Sequence, residues 1–419
     1  MPMNPIIVIG GGASGLVAAI MAARHGGRVV VLERMQRVGR KLLATGNGRC
    51  NLSNRRIDAS HYHGVDPSFV DGVFGQFGLD ATLAFFDGLG VIAEAEDGGK
   101  LFPASRQASS VLDVLRYEMA QRGVVEVCDT IVHTVERRRG GLRCVCGDGR
   151  IFEASRVVVC AGGKSSPNLG SNGGGFKIAQ AMGHTLVDPF PALVQVRLDA
   201  PYLEQIAGVS LQAEAAAWVS DRPARTECGE LLFTKYGISG TPILQLSRVL
   251  SEAAMRGRVS HLRIDLFPAW SREALMALID QRKSNDPGKP IAFSFVGFIH
   301  KRLIPVLLQT ANIREPQRPC GTLDATETER IASIMKAWTI PCAGTQSWMF
   351  SQVTAGGVDV REVDPVTLES KRMPGVHFAG EVLDIDGDSG GYNLQWAWSS
   401  GAVAGMHAAR LLGLRAESQ

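Results

Sequence analysis

Four apolar positions in a row, Ile6-Ile7-Val8-Ile9, begin the patterned part of the chain, with no polar position among them to mark a solvent face. Such a run predicts a strand buried on both sides, as in a parallel sheet. A glycine turn follows, and then Leu16-Val17-Ala18-Ala19-Ile20-Met21-Ala22-Ala23, small and apolar, predicts a helix. A second apolar run at 28–32 stops at Glu33. Strand, turn, helix and strand make the start of a βαβ unit. The buried-strand pattern returns at 156–159, ahead of Ala161-Gly162-Gly163, and is expected to lie beside the first strand. It returns once more at 376–381.

Elsewhere the period changes. Short alternating runs at 124–127, 131–137, 142–146 and 151–153 predict a small antiparallel meander. Helical spacing covers 66–90, 109–121 and 176–182. Past Pro191 the pattern shifts to strands at 193–198, 208–219, 230–233 and 259–266, with a helix at 242–256. Helical spacing then covers 271–281, 290–295, 301–310 and 327–338. A strand at 349–354 and a small-residue helix at 396–412 resume the opening theme. The expected organisation is an α/β domain built from 1–190 and 341–419, interrupted by a β-rich module at 191–268 and a helical module at 269–340. An insertion of this kind usually supplies a substrate cap.

The turn carries the first chemistry. Gly10, Gly12 and Gly15 fill the dinucleotide fingerprint, and Glu33 follows about twenty residues on, where a carboxylate takes the ribose hydroxyls. The helix start offers N–H groups and a positive dipole end to phosphates. The polar, glycine-rich loop at 38–51 holds Arg40 and Lys41 for a pyrophosphate and Asn47 and Asn51 for polar ring edges. A strand near Val132 is placed to meet an adenine through its backbone, and Ala161 and Gly162 to line the dinucleotide. Near the far end, acids after Gly380 suit sugar-alcohol hydroxyls, and Gly391 to Asn393 aim a helix start at a ring oxygen that becomes negative. One extended site built by both ends of the chain suits FAD better than NAD. The glycines at 170–175 lack a leading buried strand and a following acid, so a second NAD(P) fingerprint is not expected.

Composition narrows the rest. With 419 residues, two or three domains are expected, and a net charge of +3 gives no reason to expect nucleic acid or a membrane surface as partner. No apolar run is long enough to span a bilayer, and a cytoplasmic protein is expected. The eight cysteines include no CxxC pair, which argues for reduced thiols and against a flavin disulfide reductase. Cys50 is expected to pack near the cofactor rather than to react. His61 and His63 have no surrounding acid or cysteine array, so they are read as loop residues and no metal is expected. His377, on a buried strand, is read as a satisfied core histidine. No acid or base is nominated for catalysis, and nothing here speaks to oligomeric state.

The fingerprint with Glu33, the run Gly39-Arg40-Lys41 to Cys50-Asn51, the segment Thr354-Ala355-Gly356-Gly357-Val358, and the stretch from Gly380-Glu381 through Asp384 to Gly390-Gly391-Tyr392-Asn393-Leu394-Gln395 resemble one family. It is the YhiN-type family of bacterial flavoproteins, which includes aminoacetone oxidases and BaiN-type bile-acid-pathway reductases. The resemblance implies a discontinuous, glutathione-reductase-like Rossmann FAD domain with an inserted β-barrel-like module and a helical module. It implies non-covalent FAD. Gly10, Gly12, Ala13, Ser14 and Gly15 would hold the pyrophosphate, and Glu33, with Arg34 beside it, the ribose. Arg40, Lys41, Gly46 and Asn47 would line the cofactor. Gly380, Glu381 and Asp384 would meet the ribityl–phosphate part, and Gly391, Tyr392, Asn393 and Leu394 the isoalloxazine. Gly173-Gly174-Gly175 departs from the pattern, where an acid would be expected. The expected chemistry is hydride transfer through flavin N5, to or from a small molecule. An NAD(P)H-linked reductase, with NAD(P)H as a transient donor, leads; an oxidase of small amines and a flavin-containing binding or RNA-modifying protein are the alternatives.

Overall fold

The structure is a computed structural model that describes residues 4–416, with side chains through Arg410. Residues up to Pro191 and from Ser351 onward form one compact unit, and Ala192–Phe350 form the other. Among the described residues no helix is long and apolar enough to cross a membrane.

The first unit is organised on a five-stranded parallel sheet. Its strands run Val376–Phe378, Arg156–Val159, Ile6–Ile9, Val29–Leu32 and Val125–Val127 in spatial order. Ile7 lies between Val157 on one side and Val30 on the other, and all four residues of the central strand are buried. The last of these strands corrects the expected meander. The Val-Glu-Val of 125–127 joins the parallel sheet at its edge, where alternation is what an edge strand with a half-wet face requires. The antiparallel group that remains has three strands, Val132–Arg138, Gly141–Cys146 and Ile151–Ala154. The helical stretch at 66–90 is two helices, Phe69–Phe74 and Leu79–Asp87, because Gly75 and Gly78 interrupt it.

Two helices from opposite ends of the chain, Ala13–Arg24 and Tyr392–Ala416, pack against each other on this sheet. Their contact is backbone on backbone. A Cβ added at Gly401 would stand 2.3 Å from Ser14 O, and one at Gly405 would stand 2.3 Å from Ala18 O. No larger residue fits without separating the helices.

The second unit has a closed barrel of strands Val196–Leu198, Gly237–Ser239, Arg222–Thr234, Ser210–Val219, Ser260–Asp265 and Trp338–Thr345. Ala213, Ala215 and Ala217 alternate inward, and Trp338 is fully buried. The helices Arg272–Asn285, Leu303–Thr310 and Ala325–Lys336 lie in the chain between the last two barrel strands and share one core with the barrel. The β-rich and helical stretches are therefore one unit. Its second boundary is at Phe350 rather than 340, since Trp338–Thr345 is a barrel strand.

Two outcomes follow for stability. Alanine is favoured over glycine in a helix interior by about 1 kcal/mol, so Gly405→Ala would stabilise an open site. With Ala18 O in the way, we expect a loss of about 1–3 kcal/mol instead, read as a lowered thermal midpoint. His377 is fully buried and its Nδ1 meets Thr367 O at 3.0 Å. Burial holds its imidazole down to about 4, from an ordinary 6.5. Because the folded value is the lower one, the unfolded chain binds the proton first as pH falls. The neutral ring's contribution is present above pH 6.5 and is lost toward pH 4, worth up to roughly 3 kcal/mol. His377→Gln should flatten that part of the acid-denaturation profile.

Candidate cofactor site

Each glycine of the first turn meets a different demand. Gly10 has φ 100°, and a Cβ there would stand 2.5 Å from Cys160 O; at Gly15 it would stand 1.9 Å from Gly10 O. At Gly12 nothing lies within 4 Å of such a Cβ. Gly12 is the N-cap of Ala13–Arg24, and no side chain caps that helix. The turn is closed on the sheet side and open at the helix start, a cradle for a diphosphate. Glu33, 8% exposed, is anchored at its rim: Gly11 N donates to Oε2 (2.7 Å) and Met35 N to Oε1 (2.8 Å). Each oxygen keeps acceptor capacity for a hydroxyl. Arg34 Nη1 reaches Gly170 O at 3.4 Å, while its Nε is buried with no hydrogen-bond partner. A buried orphan donor beside Glu33 suits a ligand that brings an acceptor. The approach to Val132 is held there too, since Thr130 N donates to Glu33 O (2.9 Å) and Asp129 N to Met35 O (3.1 Å).

The loop after Glu33 returns to the same turn. Gly39 N donates to Gly11 O (2.8 Å), and Arg40 begins the short helix Arg40–Ala44. Lys41 Nζ pairs with Glu381 Oε2 at 2.7 Å, both side chains about a quarter exposed (24% and 22%). Glu381 Oε1 accepts from Thr354 N (2.8 Å), and Thr354 Oγ1 accepts from Lys164 N (2.8 Å) and Ser165 N (3.0 Å). Gly380 presses on the first helix, where a Cβ would stand 2.5 Å from Ser14 Oγ. Gly46 and Asn47 are both left-handed (φ 58° and 56°), and Asn47 is exposed. The glycines at 170–175 fold onto 161–163: Gly173 N donates to Gly163 O (2.9 Å), and a Cβ on Gly175 would stand 2.9 Å from Ala161 Cβ. They belong with the first fingerprint and form no second one.

At the far end, a Cβ on Gly391 would stand 2.3 Å from Ser53 O, and Tyr62 Oη donates to Tyr392 O (3.0 Å). Leu394 is half-buried against the core. Three polar side chains expected at a cofactor hold backbone groups. Asn393 Oδ1 accepts from Gly387 N (2.8 Å), and its Nδ2 donates to Gly387 O (2.7 Å) and Asp388 O (3.2 Å). Asp384, 1% exposed, accepts from Val65 N through Oδ2 (2.8 Å). Asn51 turns its amide oxygen to Gly391 N (3.1 Å) and its nitrogen to Ser53 O and Leu101 O (3.0 and 3.1 Å). Gln395 ends the motif that carries the resemblance but has no expected role there, and it is fully buried. It accepts from Ser53 Oγ (2.6 Å) and donates to Thr82 Oγ1 and Ser399 Oγ (2.7 and 2.8 Å). Its only sequence signal is a glutamine among apolar neighbours.

Burial pushes the Cys50 and Cys160 thiols up to about 12, against the weaker opposing pull of hydrogen bonds to Thr45 and Ser14. Neither is a thiolate near neutral pH. Among the described residues no group of three or more histidine, cysteine, aspartate or glutamate side chains is arranged to hold a metal ion.

The profile of the HI0933-like protein Rossmann domain matches residues 4–407. The chain belongs to the HI0933-like family. It is 40% identical, over 97% of its length and 99% of the relative's, to a 3-dehydro-bile acid delta(4,6)-reductase of Clostridium scindens. It is 28% identical, over 96% of its length and 98% of the relative's, to a ribosomal RNA dihydrouridine synthase of Haemophilus influenzae. In fold it is similar to a 3-ketosteroid delta1-dehydrogenase of Sterolibacterium denitrificans, with a TM-score of 0.51, 12% identity, and coverage of 98% of this chain and 100% of that one. Membership supports FAD as cofactor and an FAD-dependent oxidoreductase as the class of enzyme. The open cradle at Gly12 and the orphan Nε of Arg34 fit that group.

Thiol chemistry checks the packing. Brief alkylation of the native protein should label exposed Cys228 well ahead of Cys50 and Cys160, as read by peptide mass spectrometry. Equal labelling of Cys50 would mean that the 45–51 loop opens readily.

Proposed function

We propose that this chain saturates a carbon–carbon double bond conjugated to a carbonyl in a small hydrophobic molecule, drawing hydride from NADH or NADPH by way of FAD. The observation that carries this is the full-length similarity to the bile acid reductase, whose name specifies double bonds next to a 3-oxo group. The rRNA relatives support the same bond type, because dihydrouridine is uridine with the double bond conjugated to its C4 carbonyl saturated. Two groups of relatives thus differ in substrate while sharing one kind of bond.

FAD supplies hydride transfer at N5 when bound. The residues of this chain do the rest. Gly10 to Gly15 would take the diphosphate on helix-start N–H groups, and Glu33 with Arg34 would hold the adenosine end. Lys41 and Glu381, tied to Thr354, would line the middle of the cofactor. The start of Tyr392–Ala416 would offer its positive end to negative charge that develops on the ring. Asn51, Asn393 and Asp384 hold the backbone of that end in place.

RNA is the second reading, carried by the rRNA-named relatives. A net charge of +3 over 419 residues offers little phosphate attraction in its favour.

Anaerobic bleaching of the yellow protein separates the choices. We expect NADH or NADPH to bleach it, and a 3-oxo-Δ4 bile acid to restore the colour with one saturated product per flavin. Bleaching by an amine alone would replace the reductase with an oxidase. Reoxidation by a uridine-containing rRNA fragment and not by the steroid would move the substrate to RNA.

A further inference from the structure

His61 and His63 take no part in the site as built so far. His63 lies on a two-strand ribbon in which Tyr62–His63 pairs antiparallel with Asp386–Gly387, and His61 ends the 3-10 turn Ala59–His61 that leads into it, its carbonyl accepting from Asp388 N (2.9 Å). Both histidines reach one carboxylate: His61 Nδ1 stands 3.2 Å from Asp388 Oδ2, and His63 Nε2 stands 3.0 Å from Asp388 Oδ1. The Asp388 side chain is 9% exposed, the two imidazoles 29% and 25%. A carboxylate only accepts, so each ring presents an N–H to it, which sets the tautomers. His61 is protonated on Nδ1 and exchanges its other proton at Nε2.

The surroundings make His61 the better placed of the two. Its ring stacks on Tyr392, with centroids 4.3 Å apart and planes at 25°. Tyr392 opens the C-terminal helix, and Asn393 ties the Asp388 turn to that helix through Nδ2 (3.2 Å to Asp388 O). His61 Nε2 is 4.0 Å from Asp58 Oδ2. Asp58 and Asp388 stand within ion-pair distance of His61, Asp388 also of His63, and Arg56 acts on Tyr392, on which His61 stacks. Burial, then Asp388 and Asp58, push the Tyr392 phenol up to about 12, with Arg56 opposing, so it stays neutral while imidazoles titrate.

We propose that His61, oriented by Asp388, is the proton donor in the double-bond reduction. The proposal rests on the function proposed above. Saturating the bond adds one hydride, with its two electrons, to the carbon β to the carbonyl, and one proton to the α carbon. The hydride originates in NADH or NADPH and arrives by way of FAD. The proton leaves Nε2 of the His61 imidazolium, which becomes neutral imidazole, and solvent restores it. Asp388 is a positioning residue, and His63 shares its second oxygen.

The test joins nitrogen NMR to rapid mixing. In full-length protein labelled with 15N-histidine, assigned with H61Q and H63Q, neutral His61 should be the Nδ1–H tautomer and neutral His63 the Nε2–H tautomer. Asp388→Asn should mix both. When NADPH-reduced holoenzyme meets a 3-oxo-Δ4 bile acid without oxygen, flavin reoxidation should slow at alkaline pH. Its midpoint should match the His61 titration seen by NMR. H61Q should retain FAD by absorbance, react about 100-fold more slowly and lose that alkaline limb. Mixed tautomers in the wild type overturn the proposal, as does an H61Q enzyme with the wild-type rate and pH profile. A chain that binds no FAD removes the proposed function and the donor role together. A yellow chain bleached by NADPH but insensitive at His61 removes the donor role alone.

Discussion

The contact between Ala13–Arg24 and Tyr392–Ala416 is the constraint from which the site follows. Two helix backbones approach within reach of one another's carbonyl oxygens only because Gly401 and Gly405 carry no side chain there. Ser14 Oγ then comes within 3.5 Å of Ala379 O across 365 residues of sequence, and Gly380 N is held by Ser400 Oγ at 2.9 Å. A diphosphate cradle at residue 12 and the start of a second helix at residue 392 become parts of one structure. Dispersion over such an interface is individually weak per atom pair but is lost steeply with an extra half ångström of separation. That is why small residues, rather than a strong polar link, hold the two ends together.

What could be read from the sequence depended on whether a residue's job was local. The buried strands were legible because a strand covered on both faces has no polar positions, as Ile6–Ile9 and Arg156–Val159 show. The glycine turn was legible because its geometry demands glycine at set offsets. The strand Val125–Val127 was assigned to the wrong sheet, since an alternating trio fits a meander and a parallel edge equally well. The barrel strand Arg222–Thr234 was read as 230–233 because its first half is polar and faces outward. Trp338–Thr345 fell across an expected boundary for a related reason: a helical stretch precedes it, and nothing local says that the strand beyond closes a barrel begun at Val196.

The polar residues of the far end show the same limit more sharply. An aspartate after a glycine at a strand end looks free to meet a ligand, yet Asp384 holds Val65 N. Asn51 and Asn393 likewise have amides spent on backbone groups brought from elsewhere in the chain. Buried backbone donors and acceptors must be paired, and a tail that packs on residues 51–65 creates many of them. Polarity in a motif therefore does not distinguish a side chain that binds backbone from one that faces a ligand. Lys41 and Glu381 are the converse case. Each was expected to face the ligand, and each has the other as a partner at 2.7 Å, so a ligand there meets a compensated pair rather than a bare cation.

The proposed reaction brings in the histidines, because a conjugated double bond cannot be saturated by hydride alone. It would need a group that releases a proton at neutral pH and recovers it. Cys50 and Cys160 hold their protons up to about 12, and so does Tyr392, so none of them matches the task. His377 errs the other way: burial keeps its ring neutral down to about 4. An imidazole a quarter exposed, fixed by one buried carboxylate and stacked at the start of the C-terminal helix, has both the access and the orientation. The sequence reads His61 and His63 as loop residues, and the residue that joins them, Asp388, lies more than three hundred positions away.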